Sequence, residues 1–257
     1  MRQVIKWLVF IFITLKSGAV IASSQVLAIH SYHPDFFWTQ SLVEGIESGI
    51  KGHEITVEHT YLDSKRVQSD GYFENLKSLY QARLADHDYD AILTTDNAAM
   101  WLVGELADEI GDTPVIFSGL NTATSKIDYA VPRLTGVNEA IDIWDNIGLI
   151  KQANPDAERV WIVLDDSFSS RQYWTAIESQ LASDTQGGVE IKRFHGLLFD
   201  ELVEQIAQLD AGDVVLFVSY FKDASGTFME HSDLLTAIQS KANVPIYGAS
   251  SFMLLTA

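Results

Sequence analysis

Cysteine is absent from the 257 residues, which excludes disulfides, thiolate nucleophiles and thiolate-bound zinc. Bases are scarce: 17 Lys and Arg face 35 Asp and Glu, a formal net charge of −18. A surface of that sign repels phosphate backbones and anionic lipid, so no nucleic-acid partner is expected. Low-complexity and short-period repeats are missing. So are the Walker loop, the G-x-G-x-x-G turn and the G-x-S-x-G elbow, which removes the usual sequence grounds for an NTPase, a dinucleotide enzyme or an α/β-hydrolase. What is present is ordinary globular material, 47% hydrophobic and 20% charged, enough for one large domain or two lobes.

One long apolar run stands at the start. Arg2 and Lys6 precede Trp7 to Leu15, and small residues follow from Ser17 to Ser24. This is the order of a secretory signal, with Val20 and Ala22 at the −3 and −1 positions and cleavage before Ser23. Residues 1–22 are therefore expected to be a signal peptide. Read instead as an uncleaved anchor, the run is short for a membrane span and is interrupted by Lys16. Removing the leader leaves 14 bases against the 35 acids, a net charge of −21. The expected location is the periplasm, free or tethered to the inner membrane within a longer polypeptide.

Beyond the leader, short apolar runs alternate with helical patterns. Strands are expected at Val26 to Ile29, Ile55 to Tyr61, Ala91 to Thr94 and Val115 to Phe117. Between them fall helices carrying Leu42, Val43, Ile46 and Ile50; then Phe73, Leu76, Leu79 and Leu84 behind an Asp70 cap; then Trp101 to Ile110. After a pause at Asp128 to Gly136 the pattern resumes, with strands near Val160, Val189, Val214 and Pro245. The expected fold is α/β, two Rossmann-like lobes with parallel sheets of about four strands each. Residues 23–133 form the N-terminal lobe and 134–247 the C-terminal lobe, joined near Pro132 to Asn138. Residues 248–257 end in the apolar Phe252 to Leu255, so the fold itself is expected to be truncated there.

In open parallel sheets, ligands lie beyond the carboxyl ends of the strands. Those ends are dense in aromatic and hydrogen-bonding groups here. The candidates in the first half are Ser31, Tyr32, His33 and Trp38 after the first strand, Asp96 and Asn97 after the third, and Ser118 and Asn121 after the fourth. Asn138 stands at the join. In the second half they are Asp166 and Ser167, then Tyr220, Lys222 and Asp223. Apolar walls with a few fixed polar groups make a small-molecule pocket. Asp, Asn and Ser after strands also serve as helix caps and turn formers, and the loop aromatics as packing.

Catalytic readings fare worse. His30, His33 and Asp35 form an incomplete metal trio, and Asp165 and Asp166, as neighbours on a strand end, point to opposite faces. A periplasmic hydrolase using His33 or Asp166 as base is the remote alternative. No enzyme activity, cofactor or metal is expected.

Four stretches together carry a resemblance: L-A-I-H-S-Y-H-P-D-F-F-W at Leu27 to Trp38, T-G-V-N-E-A-I-D at Thr135 to Asp142, V-L-D-D-S at Val163 to Ser167, and V-L-F-V-S-Y-F-K-D-A-S-G at Val215 to Gly226 with N-V-P-I-Y-G following. The chain resembles the ABC-transporter substrate-binding-protein-like sensor domain found in front of bacterial histidine kinases and diguanylate cyclases. The resemblance implies a type I periplasmic-binding-protein fold, a small-molecule ligand between the lobes and hinge closure on binding. It also implies that residues 248–257 are an incomplete hinge crossover toward the first lobe. It implies as partner an inner-membrane signalling domain in the same polypeptide; a soluble binding protein serving an ABC permease is the alternative.

Overall fold

A computed structural model describes residues 23–121, 130–139, 142–183 and 188–249. The expected leader and the expected crossover beyond 249 lie outside these residues. Strands β1 (Ser24–His30), β2 (Ile55–Tyr61), β3 (Ala91–Thr95), β4 (Val115–Leu120) and β5 (Leu134–Asn138) form one parallel sheet, in the order β2-β1-β3-β4-β5. Strands β6 (Arg159–Leu164), β7 (Glu190–Phe194), β8 (Asp213–Ser219) and β9 (Ile246–Gly248) form a second, in the order β7-β6-β8-β9. Every pair within both sheets is parallel. The α/β architecture with two parallel sheets is thus as expected. β8 shows why its sequence reads as one apolar run: all seven of its residues are buried, as they must be in a central strand covered on both faces.

The helices of the first half are α1 (Phe37–Ile50), α2 (Asp70–Asp86), α3 (Asp96–Glu105) and α4 (Ala107–Ile110). Those of the second are α5 (Ile143–Ala153), α6 (Phe168–Ser183), α7 (Phe199–Ala207) and α8 (His231–Lys241). Leu27, Ile92, Leu102, Val103 and Phe117 centre the first core. The second sheet is packed on both sides, Phe217, Leu202 and Leu234 on one and Ile162, Leu216 and Ile147 on the other. Among the described residues no helix is long and apolar enough to cross a membrane.

Several expectations need correction. The cap of α2 is Ser69, whose hydroxyl accepts from the Tyr72 amide, and Asp70 is the first helical residue. Leu79 is 61% exposed and not part of that helix's buried face. The helix expected from Trp101 to Ile110 is two, broken at Leu106. Most consequential is β5. Leu134–Asn138, read above as the beginning of the second lobe, pairs with β4 in the first sheet, so among the described residues the halves hold five and four strands. Four of its five residues are exposed, because it is an edge strand, and so it lacks the apolar pattern by which strands are recognised.

Gly136 sits opposite Phe117 in this pair, where an added Cβ would lie 2.0 Å from the Phe117 carbonyl oxygen. Gly136→Ala must push β5 away from β4. We expect it to cost about 1–3 kcal/mol, read by urea denaturation.

Candidate functional site

Both sheets reverse their winding between their first and third strands, at β1/β3 and at β6/β8. These switch points are where a parallel sheet opens a crevice at its carboxyl edge. The two crevices face each other across a cavity of about 40 Å³. The loop after β1 contributes Tyr32 and Phe36 and the first turn of α1 Trp38, and Asp96 follows β3; Ser169 follows β6, Ser219 ends β8 and Phe221 lies just beyond it. Tyr32, Phe36 and Phe221 make a separate apolar cluster between the lobes, with Phe36 and Phe221 edge to face at 5.3 Å. The Tyr32 hydroxyl and Ser169 Oγ share a hydrogen bond of 3.0 Å across the cleft.

At the centre lies Lys65, buried at 6% exposure, from the loop after β2. Its ammonium stands 3.8 Å over the Phe221 ring, 4.3 Å over Tyr32 and 5.3 Å over Phe36. Burial lowers its pKa to about 8 against the pull of Asp165, Asp96, Glu139 and Glu230. Asp96 opens α3 with φ +64°, a backbone conformation uncommon outside glycine that marks a held position. Its Oδ2 accepts from Trp38 Nε1 at 3.2 Å. Burial, and then the neighbouring Glu139, push its carboxyl up to about 8. Glu139, directly after β5, is raised chiefly by burial, although Tyr173 of α6 and Asn121 donate to it.

The Asp96 shift has a sign that can be tested. The folded state retains a proton that the unfolded chain releases near pH 4, so the Asp96 contribution to unfolding free energy falls as pH rises from about 4 to about 8, while buried His30, its pKa lowered to about 4, contributes the opposite slope up to about pH 6.5. Asp96→Asn is expected to flatten that decline, so that the variant loses less stability than the parent between pH 5 and pH 8 in urea titrations.

The residues singled out from the sequence divide into several groups. Tyr32, Trp38 and Asp96 line the cavity. Asn121 reaches it indirectly, its Nδ2 donating to Glu139 at 3.4 Å, and Asn97 Oδ1 accepts the Asn121 amide. Ser31 does not line the cavity: its hydroxyl donates to the Thr95 carbonyl and accepts from the Ala99 amide, which ties β1 to β3 and α3. Ser118 lies within β4, and Asn138 is an exposed residue of β5. His33 is buried against Phe36 and Phe228, 3.6 Å from Asp63, and burial followed by Arg66 lowers its pKa. His30 instead contacts His59 at 2.9 Å and Thr95 at 3.2 Å, so His30 and His33 do not converge on a metal position.

The second-half candidates surround a neighbouring, more polar cleft of about 300 Å³, where Asp166, Ser167, Tyr220, Lys222 and Asp223 meet Gln68 of the first half. Two of them are structural. Tyr220 is 1% exposed and its hydroxyl donates to the Leu197 carbonyl at 2.7 Å. Asp223 is a turn former, Oδ1 accepting from the Ser225 and Thr227 amides; burial opposes ionisation, but these bonds and the Ser225 hydroxyl hold its pKa below the usual value. Asp166 is exposed and pairs with Arg193 at 3.0 Å. Lys222 spans the lobes, its Nζ donating to the Arg66 carbonyl at 3.3 Å.

The sequence reading missed Lys65, Glu139 and Tyr173. The carboxyl-end rule applies equally to β2, and a lysine just past its end in so acidic a chain was a legible signal. Glu139 follows a strand without apolar pattern. Tyr173 lies inside a helix, where nothing in the sequence separates a cavity wall from a packed face.

No family model matches the chain, and no curated protein matches its sequence. Solved structures match its fold. An ABC domain in complex with L-Trp from Streptococcus pneumoniae superposes with a TM-score of 0.61 at 16% identity, over 91% of this chain and 76% of that one. The solute-binding protein of an ABC transporter from Rhodopseudomonas palustris, in complex with 3,4-dihydroxybenzoic acid, gives 0.60 at 15% identity, over 88% and 61%. A leucine-binding protein from Thermotoga maritima gives 0.58 at 14% identity, over 88% and 63%. Likeness at these identities establishes the fold, an α/β chain whose two parallel sheets are like the lobes of type I periplasmic-binding proteins.

Proposed function

We propose that the chain is an extracytoplasmic small-molecule-binding module whose two lobes close around a solute and bias a signalling output in the same polypeptide. One observation carries this reading: a cavity walled from both switch points, with a hydrogen bond and a cation–ring contact spanning it. At about 40 Å³ the cavity holds a few water molecules, so an organic ligand requires the lobes to part and close again. The basic, apolar and small-residue order of residues 1–22 supports export to the periplasm. A second reading, a soluble binding protein serving an ABC permease, has support in the names of the structural neighbours. Sequence downstream of this segment encoding a membrane span and a kinase or cyclase separates the first reading from the second.

A panel of small metabolites screened by thermal shift tests the site. A ligand at a hundredfold excess over its Kd stabilises by about 2.7 kcal/mol. Trp38→Ala in the first lobe and Ser169→Ala in the second are each expected to remove most of that shift. The unliganded melting temperature should move less, since both groups face a cavity. A shift that survives both substitutions places the ligand elsewhere.

A further inference from the structure

We propose, resting on the reading of the inter-lobe cavity as a ligand site, that its ligand is a small organic cation, a protonated or quaternary amine on an apolar body, which takes the place the Lys65 ammonium now holds among Tyr32, Phe36 and Phe221. The position is already an ammonium site. Ring faces attract cations, and here two rings come from the first lobe and one from the second, so an occupant bridges the lobes.

The sign of the surroundings decides against an anion. Among the described residues Lys65 is the single base lining the cavity, whereas Asp96 and Glu139 line it as carboxyls and Asp165 and Glu230 act on the same ammonium. Even with Asp96 protonated up to about pH 8, Glu139, Asp165 and Glu230 stand against the one base, and an entering carboxylate meets like charge. Lys65 is also weakly anchored. Among the described residues its ammonium makes no hydrogen bond; ring faces and more distant charges hold it. A ligand amine competes directly, because two cations cannot share one desolvated box, and withdrawal of the lysine chain opens the room that the apolar body needs. The loop that carries Lys65 touches the second lobe twice more, Gln68 Oε1 accepting the Phe168 amide and the Arg66 carbonyl accepting Lys222 Nζ. Displacing Lys65 therefore acts on the contacts that set the lobe arrangement.

Isothermal titration of the full chain with benzyltrimethylammonium, phenethylamine, benzyl alcohol and 3-phenylpropionate tests this. The two cations are expected to bind more tightly than the alcohol, and the carboxylate not at all. Lys65→Met removes the internal competitor and is expected to tighten the cations roughly tenfold, a desolvated cation–ring contact being worth about that factor. At pH 9, where Asp96 is ionised, Asp96→Asn is expected to weaken them by a similar factor while sparing the alcohol, and it serves as the second variant should circular dichroism find Lys65→Met unfolded. Binding of 3-phenylpropionate that Lys65→Met abolishes makes Lys65 an anion anchor; it overturns the cation proposal and leaves the binding function standing. Binding of benzyl alcohol at least as tight as the cations does the same. If neither these probes nor the metabolite panel bind, the binding reading itself falls with the proposal.

Discussion

Tyr220→Ala is expected to destabilise the protein by about 3–5 kcal/mol, the range for truncating a large aromatic in a packed core. Tyr220 is among the largest fully buried side chains and belongs to the core of the second sheet with Phe199, Phe217 and Leu235. Its hydroxyl also holds the loop before α7: it donates to the Leu197 carbonyl at 2.7 Å and accepts the Leu197 amide at 3.1 Å. Truncation leaves a void and two backbone groups without their partner. Tyr220→Phe separates the two contributions. It keeps the packing and loses the bonds, so it should cost about 1–2 kcal/mol. Urea denaturation of both variants measures the difference. A loss under 1 kcal/mol for Tyr220→Ala would show that this ring faces open cleft instead of core.

Asp165→Ala should cost about 3–5 kcal/mol, whereas Asp166→Ala, one residue along, should cost less than about 1 kcal/mol. The contrast comes from burial and partners. Asp165 has no exposed surface, and its carboxylate accepts the amides of Ser167, Phe221 and Lys222 at 2.8–3.1 Å. It thus clamps the loop after β6 to the chain leaving β8, at the switch point of the second sheet. Its removal strands three amides inside the protein. Asp166 is half exposed, and its pairing with Arg193 is a surface interaction in high dielectric. Asp165→Ala has a functional consequence too: it frees the backbone that aims Phe221 into the cavity, so ligand-induced stabilisation should fall along with stability. Equal costs for the two variants in denaturant would refute this division of roles.

Asp165 and Asp166 also show how far the residues alone could be read. Alternation along a strand was the ground for expecting neighbouring carboxylates to diverge; both lie just past β6, where one is enclosed and the other open. Which of them matters to the fold was not legible, because two of the three amides Asp165 binds lie 56 and 57 residues further along the chain. That the Tyr220 ring packs into the core of the second sheet was not legible for a related reason. A tyrosine after a strand looks the same in sequence whether its ring turns toward the cleft or back into the core.

Absence of cysteine, the acidic balance and the alternation of short apolar runs with helical patterns by themselves determined the class of this protein: α/β, with parallel sheets in two halves. Local patterning encodes burial, and burial on both faces is what a parallel strand requires. The aromatic and acidic loop ends at Tyr32, Trp38 and Asp96 were legible for the same reason, since they follow strands that the pattern marks. Only the tertiary structure decided the rest. It moved Leu134–Asn138 into the first sheet, because an exposed edge strand carries no apolar signal. It joined Lys65 to Phe221, and Glu139 to Tyr173, because contacts between lobes depend on how two separately patterned units meet, and no residue's neighbours in sequence record that meeting.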